Sequence, residues 1–185
     1  MRTQTFKIPG MFLITLEKHG DDRGFFLETY RQSTCQALGL LDAFVQDNRS
    51  FSKKNILRGM HYQITKPQGQ MISVLRGKIF DVGVDLRKNS PAFGQWCGVE
   101  LSSDYPQQLF LPMGVAHGFC TLGDENELYY KCTGYYDAHD EGGLLWNDPS
   151  INIQWPVTDP LTNERDNAFL PLSDIPAWRL PQVSL

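Results

Sequence analysis

No stretch of this 185-residue chain is apolar over the roughly 20 residues that a membrane helix needs. Its first residues, M-R-T-Q-T-F-K, lack the apolar core of a signal peptide, so the cytoplasm is the default expectation. There is no excess of basic charge: 17 Lys and Arg stand against 21 Asp and Glu, a formal net charge of −4. That balance calls for neither nucleic acid nor an anionic membrane surface as partner. The four cysteines (Cys35, Cys97, Cys120, Cys132) are dispersed, with no C-x-x-C, and read as reduced, buried thiols rather than bridges or zinc ligands. Repeats, low-complexity tracts and linkers are missing, and a single domain over residues 1–185 is expected. Helix signals are few. Ser33 to Leu40 is the best candidate, with Ser33 as N-cap and Gly39 near the end.

What the chain does have is many short strands broken by Gly and Pro turns. Phe12 to Glu17, Phe25 to Tyr30 after the turn Asp21–Gly24, Phe44 to Asn48 and Ile56 to Gln63 read as strands. Met71 to Arg76 and Lys78 to Leu86 flank Gly77 and suggest a hairpin. In its second arm Phe80, Val82, Val84 and Leu86 alternate with Ile79, Asp81, Gly83 and Asp85, a period of two that sets two carboxylates on one face. Gly94 to Leu101, Gln108 to Leu111, Phe119 to Leu122 and Glu127 to Thr133 continue the series. The segment Leu144 to Leu185 is Pro-rich, with little regular structure, and is expected to wrap over the outside. The fold class is all-β, a sandwich or jelly roll.

Four stretches carry candidate chemistry. Gln46 to Gln63, Q-D-N-R-S-F-S-K-K-N-I-L-R-G-M-H-Y-Q, holds amides, five cationic groups counting His61 if protonated, and a glycine two residues before that histidine. Strict alternation puts Leu57, Gly59 and His61 on one face and Arg58 on the other; Arg58 reaches a phosphate beside His61 only if the strand twists or bulges. Pro112 to Phe119, P-M-G-V-A-H-G-F, matches the second signature of a cupin, a small jelly-roll barrel, with His117 entering the barrel mouth. A metal-binding cupin would add a His-x-His, but Gln63 stands where the second histidine belongs, so no metal is expected. His19 and His139 lie in turn-like contexts and read as solvent-exposed. Asp21 to Glu28 reads either as a charged turn before a strand or as an anion clamp, with Arg23 for phosphate, Phe26 for stacking and Glu28 as acceptor. Clustered tyrosines from Tyr129 to Tyr136 are wall or core by default, because a phenol titrates near pH 10 in general, yet a tyrosine held at a reacting carbon can deliver a proton.

D-x-R-G-F-F-x-E, Q-D-N-x-S-x-S-K-K-N-x-L-R-G-x-H-x-Q, F-D-V-x-V-D-L-R, S-P-x-F-G-Q-W, A-H-G-F and W-N-D-P occur in this order. Together, from about Phe12 to Asp166, they resemble the dTDP-4-dehydrorhamnose 3,5-epimerase family. The resemblance implies a cupin jelly roll that dimerises by exchanging N-terminal strands. It implies a nucleotide-linked 4-keto-6-deoxy sugar as substrate, no metal and no cofactor. His61 matches the family's base, Asp166 in N-E-R-D-N-A the aspartate that orients it, and Tyr136 the acid. Arg58, Gln46 and Asn48 match phosphate and nucleotide contacts; Arg23, Phe26 and Glu28 match binding positions presented to the partner's site; His117 lines the cavity. The chemistry suits these residue types. A proton next to a ketone is acidified by delocalisation onto oxygen, imidazole is suited to take it, and inversion needs a second group on the opposite face.

One position departs from the pattern. Where the family places a lysine in Q-G-K-L, this chain has Gln68-Gly69-Gln70-Met71. An amide donates a hydrogen bond but brings no charge to the enolate oxygen, and loss of one oxyanion donor costs about 3–4 kcal/mol in well-studied cases. Gln70 could suffice with another donor, the enzyme could act at one carbon only, or its substrate could be a CDP-linked 3,6-dideoxy ketosugar. Two other classes stay open at this level: a homologue that only binds a nucleotide sugar, and a metal-dependent cupin oxygenase or isomerase.

Overall fold

The computed structural model describes residues 2–40 and 43–183. Thirteen strands follow in chain order: β1 (Arg2–Thr5), β2 (Phe12–Thr15), β3 (Lys18–Asp21), β4 (Gly24–Leu27), β5 (Gln46–Lys53), β6 (Leu57–Gln63), β7 (Gln70–Arg76), β8 (Lys78–Asp85), β9 (Trp96–Ser102), β10 (Gln107–Leu111), β11 (Val115–Thr121), β12 (Glu125–Cys132) and β13 (Glu141–Gly143). Two short helices join them, α1 (Gln32–Ala37) and α2 (Glu164–Asn167). One sheet runs β1-β2-β10-β7-β12-β5 and the other β13-β6-β11-β8-β9, while β3 and β4 form a separate two-stranded ribbon. Ladder neighbours are antiparallel, and consecutive strands repeatedly change sheets, which is jelly-roll connectivity. The expected all-β, cupin-like class is the one observed. Among the described residues no helix is long and apolar enough to cross a membrane.

Three apolar clusters hold the layers. Ile72, Leu109, Leu111 and Leu128 of the first sheet meet Ile79, Leu101, Val115 and Phe119 of the second, filling part of the space between them. Met60, Val82, Val84 and Leu86, on the outer face of the second sheet, are covered by Leu144, Ile151, Ile153, Ile175 and Leu180. Ile14, Met71 and Phe110, on the outer face of the first, are covered by Cys35 of α1 and by Leu40.

Three local expectations need correction. Gly77 is a corner rather than a hairpin turn, because β7 and β8 lie in different sheets. Its φ of +80° suits only glycine, and a Cβ there would press on the carbonyl of Glu125. The buried Asn126 pins this corner: its Oδ1 accepts from the N–H groups of Lys78 (3.0 Å) and Gly123 (3.1 Å), and its Nδ2 donates to the carbonyls of Ser52 (3.2 Å) and Gly123 (2.7 Å). The strand expected at Phe44–Asn48 starts later and runs on to Lys53, paired along its whole length with β12. Its alternate residues Gln46, Asn48 and Ser50 are polar because they face a cavity, which hides the strand from an apolar pattern. Ser33 does not cap α1; Arg31 holds that position with no side-chain bond, whereas Gly39, at φ +87°, does end the helix as expected.

Candidate active site

The site begins with a bulge in β6. His61 pairs with His117 across the ladder, but Arg58 pairs with Phe119, so three steps on β6 match two on β11. Gly59 makes this possible. Its φ is +126°, and a Cβ there would sit 2.5 Å from Gly118 Cα and 2.8 Å from the His117 carbonyl oxygen. The extra residue brings Arg58 and His61 to one cavity of about 340 Å³ between the sheets, while Met60 is packed into the apolar layer behind. Simple alternation separated the two side chains; the bulge reunites them.

Behind His61 lies Asp166, fully buried on α2. Asn163 caps that helix, its Oδ1 accepting from the Asp166 N–H at 2.7 Å. Asp166 Oδ2 accepts from the Gly59 N–H at 2.9 Å, and Oδ1 stands 2.9 Å from His61 Nε2. Burial pushes this carboxyl up, but the bonds from His61 and Gly59, with the charges of His61 and Arg165, outweigh it and hold it below the usual carboxylate range. An ionised carboxylate only accepts, so in the tautomer that donates to Asp166 the proton is on Nε2 and Nδ1 bears the free lone pair. His117 forms a second such pair, its Nε2 3.1 Å from Oδ2 of the fully buried Asp81.

The first sheet supplies the opposite wall. The Tyr136 N–H donates to Gln46 Oε1 at 2.9 Å, and Gln46 Nε2 donates to Asn48 Oδ1 at 3.0 Å. Two buried oxygens on this wall, Ser50 Oγ and Gln70 Oε1, have no hydrogen-bond partner among the described residues, so their acceptor capacity is open to the cavity. Three tyrosines line the cavity: the expected Tyr136, Tyr130 and, next to His61 on β6, Tyr62. The first two belong to the opposite wall. Burial is the largest influence on each of these two and pushes both phenols up; at Tyr136 the neighbouring Glu141 adds to this and Arg165 opposes it. Among the described residues no lysine lines this cavity. Lys66, near Gln70 in sequence, lies outside it, 3.6 Å from Asp137, and Lys131 is held by Asp47 at 2.6 Å.

Of the sequence-derived candidates, His61, Asp166, Tyr136, Arg58, Gln46, Asn48, Gln70 and His117 converge on this cavity. Arg23, Phe26 and Glu28 do not. Arg23 and Phe26 ride on the β3–β4 ribbon with Phe26 70% exposed, Arg23 pairs with Asp21, and Glu28 just beyond it pairs with Arg31. The sequence reading assigned no role in the site to Arg165, Glu141, Asp81 or Tyr130, although it set Asp81 on a carboxylate-bearing face and Tyr130 in the tyrosine cluster. Asn163-x-x-Asp166 is an N-cap signature that could have placed a helix there, with Arg165 beside Asp166. Among the described residues no three His, Cys, Asp or Glu side chains are grouped as a metal site requires.

Two facing antiparallel sheets around a cavity, with a histidine–aspartate pair and three tyrosines in its lining, define the class as a cupin-like fold with a polar, ionisable pocket. The family model described as dTDP-4-dehydrorhamnose 3,5-epimerase matches residues 5–174. A protein of that name from Methanothermobacter thermautotrophicus is 45% identical over 174 residues, covering 92% of this chain and 94% of the relative. One from Shigella flexneri is 47% identical over 162 residues, 86% of this chain and 90% of the relative. The solved dTDP-6-deoxy-D-glucose-3,5-epimerase from Legionella pneumophila, in complex with dTDP-4-keto-L-rhamnose, superposes with a TM-score of 0.96 at 40% identity, covering 100% of this chain and 99% of that one. The chain belongs to the dTDP-4-dehydrorhamnose 3,5-epimerase family, and it is an isomerase.

Proposed function

We propose that this enzyme epimerises dTDP-4-dehydro-6-deoxyglucose at C3 and C5, the carbons flanking the ketone, without a cofactor, in deoxysugar synthesis for a surface polysaccharide such as O-antigen. The observation that carries the reading is the His61–Asp166 pair in a cavity whose other wall holds tyrosine. His61 Nδ1 takes the proton from the carbon next to the ketone, and the electron pair of the broken C–H bond delocalises onto the ketone oxygen as an enolate. Tyr136 returns a proton to the opposite face, and the phenolate and imidazolium then reset through solvent. Gln70 donates its amide N–H toward the enolate oxygen. Arg58, with Gln46 and Asn48, receives the diphosphate and nucleotide, Arg58 being suited by its forked donors. His117, held by Asp81, lines the sugar end.

The substrate of this reading is a nucleotide sugar, with no nucleic acid or membrane partner and with the cytoplasm as its place of work. The protein is a homodimer in which the β3–β4 ribbon reaches the partner's cavity, carrying Arg23, Phe26 and Glu28. The exposed Phe25 and Phe26 support this. Sedimentation at micromolar concentration is expected to show a dimer; a monomer there overturns the exchange.

The deciding experiment is proton NMR with the dTDP-ketosugar in heavy water. Exchange at C3 and C5 with product formation is expected, and it is lost in His61→Ala. Tyr136→Phe and Tyr130→Phe, compared side by side, locate the acid: the variant that keeps exchange but loses inversion marks it. A second reading, a mono-epimerase, is favoured by Gln70 alone, and exchange at a single carbon would select it.

A further inference from the structure

Arg165 occupies a place that the proton-transfer scheme above leaves without a task. Its Nη2 lies 3.0 Å from His61 Nε2, its Nε 3.3 Å from Asp166 Oδ1, and its Nη1 2.6 Å from Glu141 Oε2. Guanidinium only donates; with the ring proton on Nε2 directed at Asp166 the Arg165 contact is one of charge, and only with the proton on Nδ1 would Nε2 accept a hydrogen bond from it. It is a cation set against the ring. We propose that Arg165, anchored by Glu141, is a positioning residue that offsets the charge of Asp166 beside His61 and so keeps the imidazole free to accept the substrate's proton.

The logic is one of opposed charges. Asp166 is needed to orient the ring, yet a lone carboxylate at 2.9 Å would also favour the imidazolium, which cannot act as a base. A cation against the same nitrogen cancels that bias without giving up the orientation. Glu141, its side chain only 14% exposed, holds the guanidinium in place and tempers its charge. The other charged and titratable groups lining the cavity around His61 are Arg58 and Tyr62 on the same strand, His117 on β11 with Asp81 behind it, and Tyr130, Cys132 and Tyr136 across from it. None of them stands within hydrogen-bond distance of the ring. The assignment rests on His61 being the base.

The test uses two variants whose effects must be opposite in sign. Arg165→Gln removes the cation, so the acidic limb of the kcat/KM–pH profile moves to higher pH. Glu141→Gln removes the anion that tempers it, so the limb moves to lower pH. With Arg165 half exposed, each displacement is about one pH unit, the low end for a charge at this range. Arg165→Lys restores the wild-type limb. A purely structural role lowers the rate in both variants and moves neither limb, and that result, or two shifts of the same sign, overturns the proposal. The ring titration of His61, followed by NMR and assigned with His61→Asn, reads the same displacements whether or not the protein turns over. Opposite shifts of the His61 titration in the two variants, with no exchange of substrate protons by the wild-type enzyme, would leave Arg165's role standing and sink the epimerase reading. Exchange with unshifted limbs would do the reverse.

Discussion

Asp166→Asn separates orientation from architecture. The replacement is isosteric, and one end of the new amide must still meet the Gly59 N–H, which Asp166 Oδ2 accepts at 2.9 Å. The carbonyl oxygen takes that bond, so the NH2 group is turned to His61 Nε2, 2.9 Å from the present Oδ1. A donor now faces Nε2, which must become the acceptor, and the imidazole proton moves to Nδ1. The nitrogen that should take the substrate's proton is then already protonated. The same tautomer error in serine hydrolases lowers kcat by about 10⁴, and a fall of 10³ to 10⁴ here corresponds to roughly 4–5.5 kcal/mol of barrier. The fold loses far less, no more than about 2 kcal/mol, because the Gly59 and His61 bonds are kept and only the long Arg165 Nε contact at 3.3 Å is given up. Single-turnover deuterium exchange at C3 and C5 measures the first quantity and urea unfolding the second. Exchange within tenfold of wild type, in a folded Asp166→Asn protein, would refute the reasoning: His61 would not depend on Asp166 for its tautomer.

Two further expectations concern the scaffold. Gly59→Ala forces a Cβ to 2.5 Å from Gly118 Cα in a backbone conformation that alanine resists; a loss of about 3–5 kcal/mol is expected from strain and overpacking together, and a melting temperature within a few degrees of wild type would contradict the bulge. Asp85 is fully buried, and its carboxylate meets Arg87 through Oδ1 at 2.9 Å and Oδ2 at 2.7 Å, with the Ser90 hydroxyl donating at 2.6 Å. Burial pushes Asp85 up, but these bonds more than offset it and hold it below the ordinary carboxylate range. A depressed folded value adds stability above the unfolded value and loses it as pH falls, so thermal melts should be flat from pH 7 to 5 and drop below about pH 4. Asp85→Asn should cost about 3–5 kcal/mol at pH 7, since Arg87 is left buried and unpaired, and should flatten the acid limb; an unchanged acid limb would show that other carboxylates set it.

The fold class was legible because jelly-roll strands are short, alternate in polarity and are separated by Gly and Pro. Topology was legible only in part. Gly77 between two alternating runs looks the same whether the chain turns back on itself or crosses to the facing sheet. What decides is Asn126, 49 positions further on, whose side chain ties Lys78, Gly123 and Ser52 into a corner. Local sequence carries no record of that contact. Strand β5 differs: its inward residues Gln46, Asn48 and Ser50 are polar and face the cavity, so the apolar signal that marks a buried strand is missing there.

The site shows the same division between residue type and register. His61, Asp166, Tyr136 and Gln70 could be named from motifs, but nothing in the motif says that Arg58 and His61 share a wall. Two residues three apart on a regular strand face opposite ways. Only the unequal count, three steps against two, turns Arg58 inward, and that count depends on β11 as much as on β6. Arg165 was hidden for a related reason. It is adjacent in sequence to Asp166 and 104 residues from His61, and it reaches the imidazole only because a four-residue helix, capped by Asn163, sets both side chains against the same ring. The catalytic types are thus written in single residues. The charge balance that would let them work is written in a bulge and a helix cap, where neighbours in space are chosen by backbone geometry rather than by motif.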